Sequence, residues 1–324
     1  MNYSQNKRVY FSEEYWLLLL LLLAAGLSVF LGRIPCFEFG NVLITMRLSR
    51  MLAALAAGSS LSVSGVVLQS VFRNPMADPY LLGSSSGASF FIAILAFISS
   101  QMNLAAARYF PVAGFLGSFL TVLLVLFLAR KDGKIPLYRL LLIGIAISFL
   151  AGSVTPILLA FSGKDLYSVF FFLNGTTQGK NLSESITYLM LAMPGLIYLF
   201  LLHKNLDYLW LGEERAYHLG FNIERSKKLL LLLSSYLTGL AVAFCGVIGF
   251  IGLVIPNIFR SRFRQSALKW LLTSSLFGAT FLIVADFLAR NLFFPRELPL
   301  NAMTALAGAP YFIYLLRKND NQNS

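Results

Sequence analysis

Charge is what this sequence lacks most. Of 324 residues only 12% are charged while 57% are hydrophobic, and the mean hydropathy is +0.73, whereas ordinary soluble domains carry roughly 25% charged residues. No stretch is both polar enough and long enough to form a water-soluble domain, so residues 1–324 read as one membrane-embedded domain. Histidine and cysteine are scarce too, with two of each. His203 and His218 lie far along the chain from Cys36 and Cys245, which argues against a disulfide framework and against a cage for a bare transition-metal ion. No G-x-x-x-x-G-K-[ST] phosphate loop occurs, so the chain has no such site for hydrolysing a nucleoside triphosphate. Basic residues outnumber acidic ones, 26 to 14, but they lie between apolar runs and form no single patch, which speaks against a nucleic-acid partner.

What is present is a series of apolar runs long enough to cross a core of about 30 Å. They begin near Trp16, Leu48, Leu81, Tyr109, Leu137, Ser185, Leu229, Gly249, Leu268 and Pro299, predicting an all-α polytopic membrane protein of about ten transmembrane helices. The first run follows Lys7 and Arg8 as a secretory signal would, but no small-residue cleavage site follows it, so it reads as a span. The eighth run, Gly249 to Phe259, is short and interrupted by Pro256. With ten crossings and a cytoplasmic N-terminus, 18 of the 26 basic residues fall on the cytoplasmic side, which places both termini there by the positive-inside rule.

Within this topology a few groups stand out. Arg47 and Arg50 share a helix face at the outer end of the second span, where basic residues are disfavoured; they either snorkel to the interface or receive carboxylates from an outer protein. Asp286 and Arg290, four residues apart, read as an intrahelical ion pair at the outer end of the ninth span. Gly58, Ser62, Gly65 and Gln69 form a small-residue stripe that either packs helices or, at Gly65 and Gln69, borders a path. Gly83 to Gly87 matches the G-x-S-x-G nucleophile elbow, but it opens an apolar helix with no histidine near, so Ser84 and Ser85 read as packing or path-lining residues rather than catalytic ones.

The longest internal polar stretch, His203 to Lys228, is punctuated like structure. Glu213 and Glu214 suit a helix start, Gly220 a left-handed helix end, and Asn222 with Glu224 the start of the next helix. Two short cytoplasmic helices joined at a glycine are expected, forming either a solvated loop or a docking surface.

Arg47-Leu48-Ser49-Arg50, Gly65, Gln69, Asn74-Pro75-Met76-Ala77-Asp78-Pro79 and Leu81-Leu82-Gly83 together resemble the signature of the FecCD-type permeases. Three further blocks agree: Gly212 to Arg225, Gly246 to Pro256, and Asp286 to Arg290 with Glu297-Leu298-Pro299 and Gly308-Ala309-Pro310. The resemblance runs through nearly the whole chain. It implies the FecCD/B12-type (type II) ABC importer permease fold, in an importer of ferric siderophores, haem or vitamin B12 in a bacterial cytoplasmic (inner) membrane. It further implies a homodimer or paralogous pair of permease subunits, two cytoplasmic ATP-binding subunits holding ATP and Mg, and an extracytoplasmic substrate-binding protein. This chain itself would bind no cofactor and no metal.

By position, Arg47, Arg50 and Arg290 resemble the arginines that dock the binding protein. Glu213, Glu214, Arg215, Gly220, Asn222, Glu224 and Arg225, within coupling helices around 212–226, resemble the segment that seats on the ATPase. Gly65, Gln69, Ser84, Ser85 and Asn174 are candidate path-lining residues. Asn257 stands where many relatives carry His, so a role needing a titrating group there is not available to this chain. A secondary transporter not coupled to ATP is the alternative, although the spans carry few of the ionisable groups such transporters use.

Overall fold

A computed structural model describes residues 6–32, 36–102, 107–162, 166–211, 218, 221–260 and 266–323. The described residues are helical apart from short connections. The helices are α1 (Asn6–Phe30), α2 (Cys36–Phe72), α3 (Ser84–Met102), α4 (Phe110–Ala129), α5 (Leu137–Ala160), α6 (Leu166–Leu173), α7 (Leu182–Leu201), α8 (His203–Leu211), α9 (Ile223–Cys245), α10 (Ile251–Arg260), α11 (Ala267–Asn291) and α12 (Leu300–Asn323). Seven of them are long and apolar enough to cross a membrane, namely α2, α3, α4, α5, α7, α9 and α11. The apolar part of α1, Glu14–Phe30, falls just short in length. Each of the ten runs found in the sequence has a helix of its own.

The organising element is α2. Its apolar section is largely buried, and at about 1.5 Å per residue its 37 residues extend well beyond the hydrocarbon core. Helices α9 and α11 run antiparallel to it. Ser64 Oγ donates to Ser234 O at 3.1 Å and Cys245 Sγ to Ala53 O at 3.8 Å; Gly278 packs on Gly58 and Asp286 pairs with Arg50. Such contacts need small residues, since lipid offers helices no hydrophobic reason to associate. A β-carbon on Gly58 would fall 2.2 Å from Gly278 O, and one on Gly65 would fall 1.9 Å from Gly252 O.

The eighth crossing departs from the expectation of a continuous helix. α10 has only 10 residues, about 15 Å of rise, too short to span. The chain crosses instead as an extended segment followed by a half-length helix. Cys245 lies level with Ala53 of α2 and Gly252 level with Gly65, a descent of about 18 Å along a helix. The intervening residues cover that distance when extended. Unpaired backbone at this depth would be prohibitive, so it is satisfied from within the protein. Thr176 N–H donates to Cys245 O at 2.8 Å, Tyr80 Oη bonds both Ile248 N and Ile248 O at 3.2 Å, and Gly249 N–H reaches Asn301 Oδ1 at 3.0 Å. This crossing returns the chain to the end of the bundle where α2 finishes, so α11 runs back and Arg290 shares an end with Arg47 and Arg50.

The polar segment leading into α9 departs from expectation as well. Asn222 does cap a helix, accepting Arg225 N–H at 3.0 Å, but that helix is α9 itself, which continues unbroken to Cys245. It is not a separate short helix, because Ile223, Leu229 and the run beyond keep one helical face apolar. Glu213, Glu214, Arg215 and Gly220 lie outside the described residues. The polar stretch also holds a helix the sequence reading did not separate, α8.

Candidate functional site

Two polar assemblies mark the two ends of the bundle. At the end carrying Arg47, the centre is the carboxylate of Asp286, fully buried in α11. Arg50 reaches it from α2, with Nη2 at 2.9 Å and Nε at 3.3 Å from Oδ1. Thr177 Oγ1 donates a short hydrogen bond to the same oxygen, and Arg290 Nε stands 3.8 Å from Oδ2. The other arm of Arg50 forks onto Glu297, Nη1 lying 2.9 Å from each carboxylate oxygen. Arg290 Nη2 donates to Ser28 O and, at 2.8 Å, to Ser28 Oγ of α1. Arg47 Nη1 donates to Val29 O at 3.2 Å.

The three arginines that the sequence singled out therefore converge on one end, yet they are not displayed on the surface. Arg47 is buried, and the side chains of Arg50 and Arg290 are only 13% and 10% exposed. The i,i+4 pair expected between Asp286 and Arg290 is present, but Arg50 is the closer partner of Asp286. Both Asp286 oxygens thus face cations, as a buried carboxylate requires. The loop carrying Glu297 is fixed in turn: Leu298 N–H donates to Ala289 O at 3.1 Å, Leu300 N–H to Gly175 O at 3.0 Å and Asn301 N–H to Asn174 O at 3.1 Å.

At the opposite end, α8 lies across the termini of other helices. Arg73 Nη2, just past α2, donates to Leu209 O at 2.8 Å. Asp207 Oδ1 accepts Ala267 N–H at 2.9 Å, capping α11, and Asn205 Nδ2 reaches Ser226 Oγ of α9 at 3.1 Å. Trp210 and Trp270 pack with ring centroids 5.4 Å apart. Of the candidate ATPase-facing residues described, Asn222 and Arg225 are exposed. Glu224 is not free: Oε1 pairs with the buried Lys227 at 3.2 Å, and Oε2 accepts Ile135 N–H at 2.8 Å.

Of the path-lining candidates, three are packing residues. Gly65 is pressed against Gly252. Gln69 is buried and its Nε2 donates to Gly252 O and Leu253 O at 3.3 and 3.0 Å, tying α2 to α10. Ser84 is buried with Oγ on Pro79 O at 3.1 Å. In this structure all three are covered by other parts of the same subunit. Ser85 and Asn174 are half-buried; Asn174 Nδ2 donates to Phe170 O at 2.9 Å. Asn257 Nδ2 donates to Pro75 O at 2.6 Å and Leu253 O at 2.8 Å, so the amide holds the connection after α2 onto α10 without a titrating proton.

That connection contains Asp78, whose Oδ1 accepts Tyr80 N–H at 2.8 Å. Burial pushes its carboxyl from 3.8 up to about 6, the hydrogen bond from Tyr80 opposing the shift. Among the described residues no three His, Cys, Asp or Glu side chains gather to hold a metal ion.

Residues 16–318 match the model of the FecCD transport family. The hemin transport system permease protein HmuU of Yersinia pestis is 39% identical over 287 residues, 88% of this chain and 85% of the relative. The cobalamin import system permease protein BtuC of Halobacterium salinarum is 37% identical, over 87% of this chain and 75% of its own length. A solved ABC transporter of metal-chelate type in an inward-facing conformation superposes with a TM-score of 0.85 at 32% identity, covering 95% of this chain and 99% of that one. On this match, which takes in both polar assemblies and the broken crossing between them, the chain belongs to the FecCD transport family.

Proposed function

We propose that this chain is the membrane-spanning permease of an ATP-driven ABC importer for an iron chelate, haem or cobalamin. The observation that carries the reading is the family match over residues 16–318, joined to relatives named for hemin and cobalamin transport. The whole chain acts as one permease domain, multi-pass in a bacterial cytoplasmic membrane with both termini inside. It has no resident cofactor; ATP and Mg belong to two cytoplasmic partner subunits, and a second permease subunit completes the path.

The ends of the bundle suit different partners. The arginine cluster receives the substrate-binding protein, whose carboxylates would meet Arg50 where Glu297 now lies, the more exposed of its two acidic partners. The inner segment through Asn222 and Arg225 seats on the ATPase, and closure of the ATPase pair moves the helices as rigid bodies. The permease supplies differential binding and a route, not bond chemistry. The test is uptake by proteoliposomes holding the complete transporter, with hemin, cobalamin and ferrichrome offered in turn. ATP-dependent uptake of one of them supports the reading, and uptake driven by an ion gradient without ATP replaces it with a secondary transporter.

A further inference from the structure

We infer that Glu224 is a positioning residue that carries movement of the inner segment to α5, acting through the backbone N–H of Ile135 and not through the ATPase. The inference rests on the importer reading above. Glu224 lies within the segment expected to seat on the ATPase, around 212–226, and occupies the first turn of α9. Its carboxylate is spent inside the subunit, on Ile135 N–H at 2.8 Å and Lys227 Nζ at 3.2 Å.

What makes this contact a transmitter is the stiffness beyond it. The α4–α5 connection is a closed two-residue turn: Lys131 N–H donates to Lys134 O at 3.0 Å and Lys134 N–H to Lys131 O at 2.9 Å. Asp132 and Gly133 at its tip have φ of 50° and 78°, the left-handed pair such turns require. Ile135 is buried, Pro136 has restricted φ, and Pro136 O already accepts from Arg139 and Leu140 as α5 begins. One residue separates the accepting contact from the first turn of the helix.

α5 is suited to respond. It packs on α3 and α4 along one side, while Leu142, Phe149, Leu150 and Ile157 on the other are strongly exposed. A pull on that end therefore tilts a helix that the rest of this subunit holds on one face only. Lys227, nearly fully buried, pairs with Oε1 and holds the other carboxylate oxygen aimed at the amide.

The experiment reads α5 directly and needs no substrate. In the complete transporter carrying Cys36→Ser, Tyr138→Cys places a thiol on an exposed position of the first turn of α5, and its maleimide labelling rate is compared with and without ATP and vanadate. The expected result is an ATP-dependent change in rate with Glu224 present, loss of that change in Glu224→Ala, and its retention in Glu224→Gln, whose amide oxygen still accepts from Ile135. Melting temperature and subunit stoichiometry are followed in parallel. Should the alanine variant not assemble, Glu224→Asp decides, because it keeps the charge and shortens the reach by one methylene. Retention of the change in the Ala or Asp variant overturns the relay, and so does its loss in the Gln variant. No ATP-dependent change with Glu224 present also overturns it, while the importer reading is judged separately by ATP-dependent uptake.

Discussion

Arg50 and Asp286 are 236 positions apart in the chain and 2.9 Å apart in the fold. Their contact joins α2 to α11 at the end where Arg47 and Arg290 also gather, and it sets the terms on which the docking role proposed for these arginines can be tested. Reversing the charge at Arg50 would press a carboxylate against Asp286 and Glu297, so loss of binding-protein docking in that variant would report misfolding as readily as docking.

The pair itself gives a cleaner prediction. Removing one partner of a buried ion pair strands the other charge and costs about 3–5 kcal/mol. Asp286→Ala alone should lower the melting temperature sharply, since both Arg50 and Arg290 lose a counterion. The double variant Arg50→Met, Asp286→Leu should recover part of that loss, because Arg50 is then no longer left as a buried charge without Asp286, although Arg290 still lacks it. Additive losses in a double-mutant cycle of these substitutions, followed by thermal unfolding in detergent, would count against coupling between the two.

Close helix packing predicts a second effect. A β-carbon at Gly65 would sit 1.9 Å from a backbone oxygen of α10, where no flexible side chain can yield. Gly65→Ala should therefore destabilise by about 1–3 kcal/mol, the usual cost of overpacking. Gly152→Ala, with nothing near its added carbon, should leave the melting temperature essentially unchanged. A smaller loss at 65 than at 152 would refute the packing assigned to α2.

Much of this architecture was legible in sequence, because its causes are local. Bilayer thickness sets the length of an apolar run, and each of the ten runs has its helix. Asn222 followed by Glu224 announces a helix start, and the start is there. The short eighth run could be flagged by Pro256 but not resolved: whether 246–250 goes helical or extended depends on Thr176, Tyr80 and Asn301, which reach it from three other parts of the chain. The same reason hid the roles of Gln69 and Glu224. Their polarity was visible, yet a glutamine facing a path and one bonded to α10 have the same local sequence. Arg50 read as an outward-facing group for as long as Glu297 and Asp286 could not be brought beside it.

Asp78 predicts a pH dependence. Its folded value near 6 lies above the ordinary 3.8, so the fold favours the protonated form. The corresponding stabilisation is complete below about pH 4 and is lost as pH rises through 6. Asp78→Asn keeps an oxygen for Tyr80 N–H and removes the charge, so it should raise stability at pH 7 by up to about 3 kcal/mol and flatten the melting temperature between pH 4 and 7. An unchanged pH profile in the variant would show that Asp78 is solvated in the protein.

As proposed above, this permease moves its substrate only when partner subunits use ATP. Its most direct test is uptake into proteoliposomes containing the chain, its ATPase and its binding protein, with hemin, cobalamin or ferrichrome outside and ATP enclosed. Accumulation of one of these should stop when ATP is omitted or the binding protein is withheld, and should be indifferent to collapse of the ion gradients. Accumulation that persists without ATP and disappears with the gradients would contradict it.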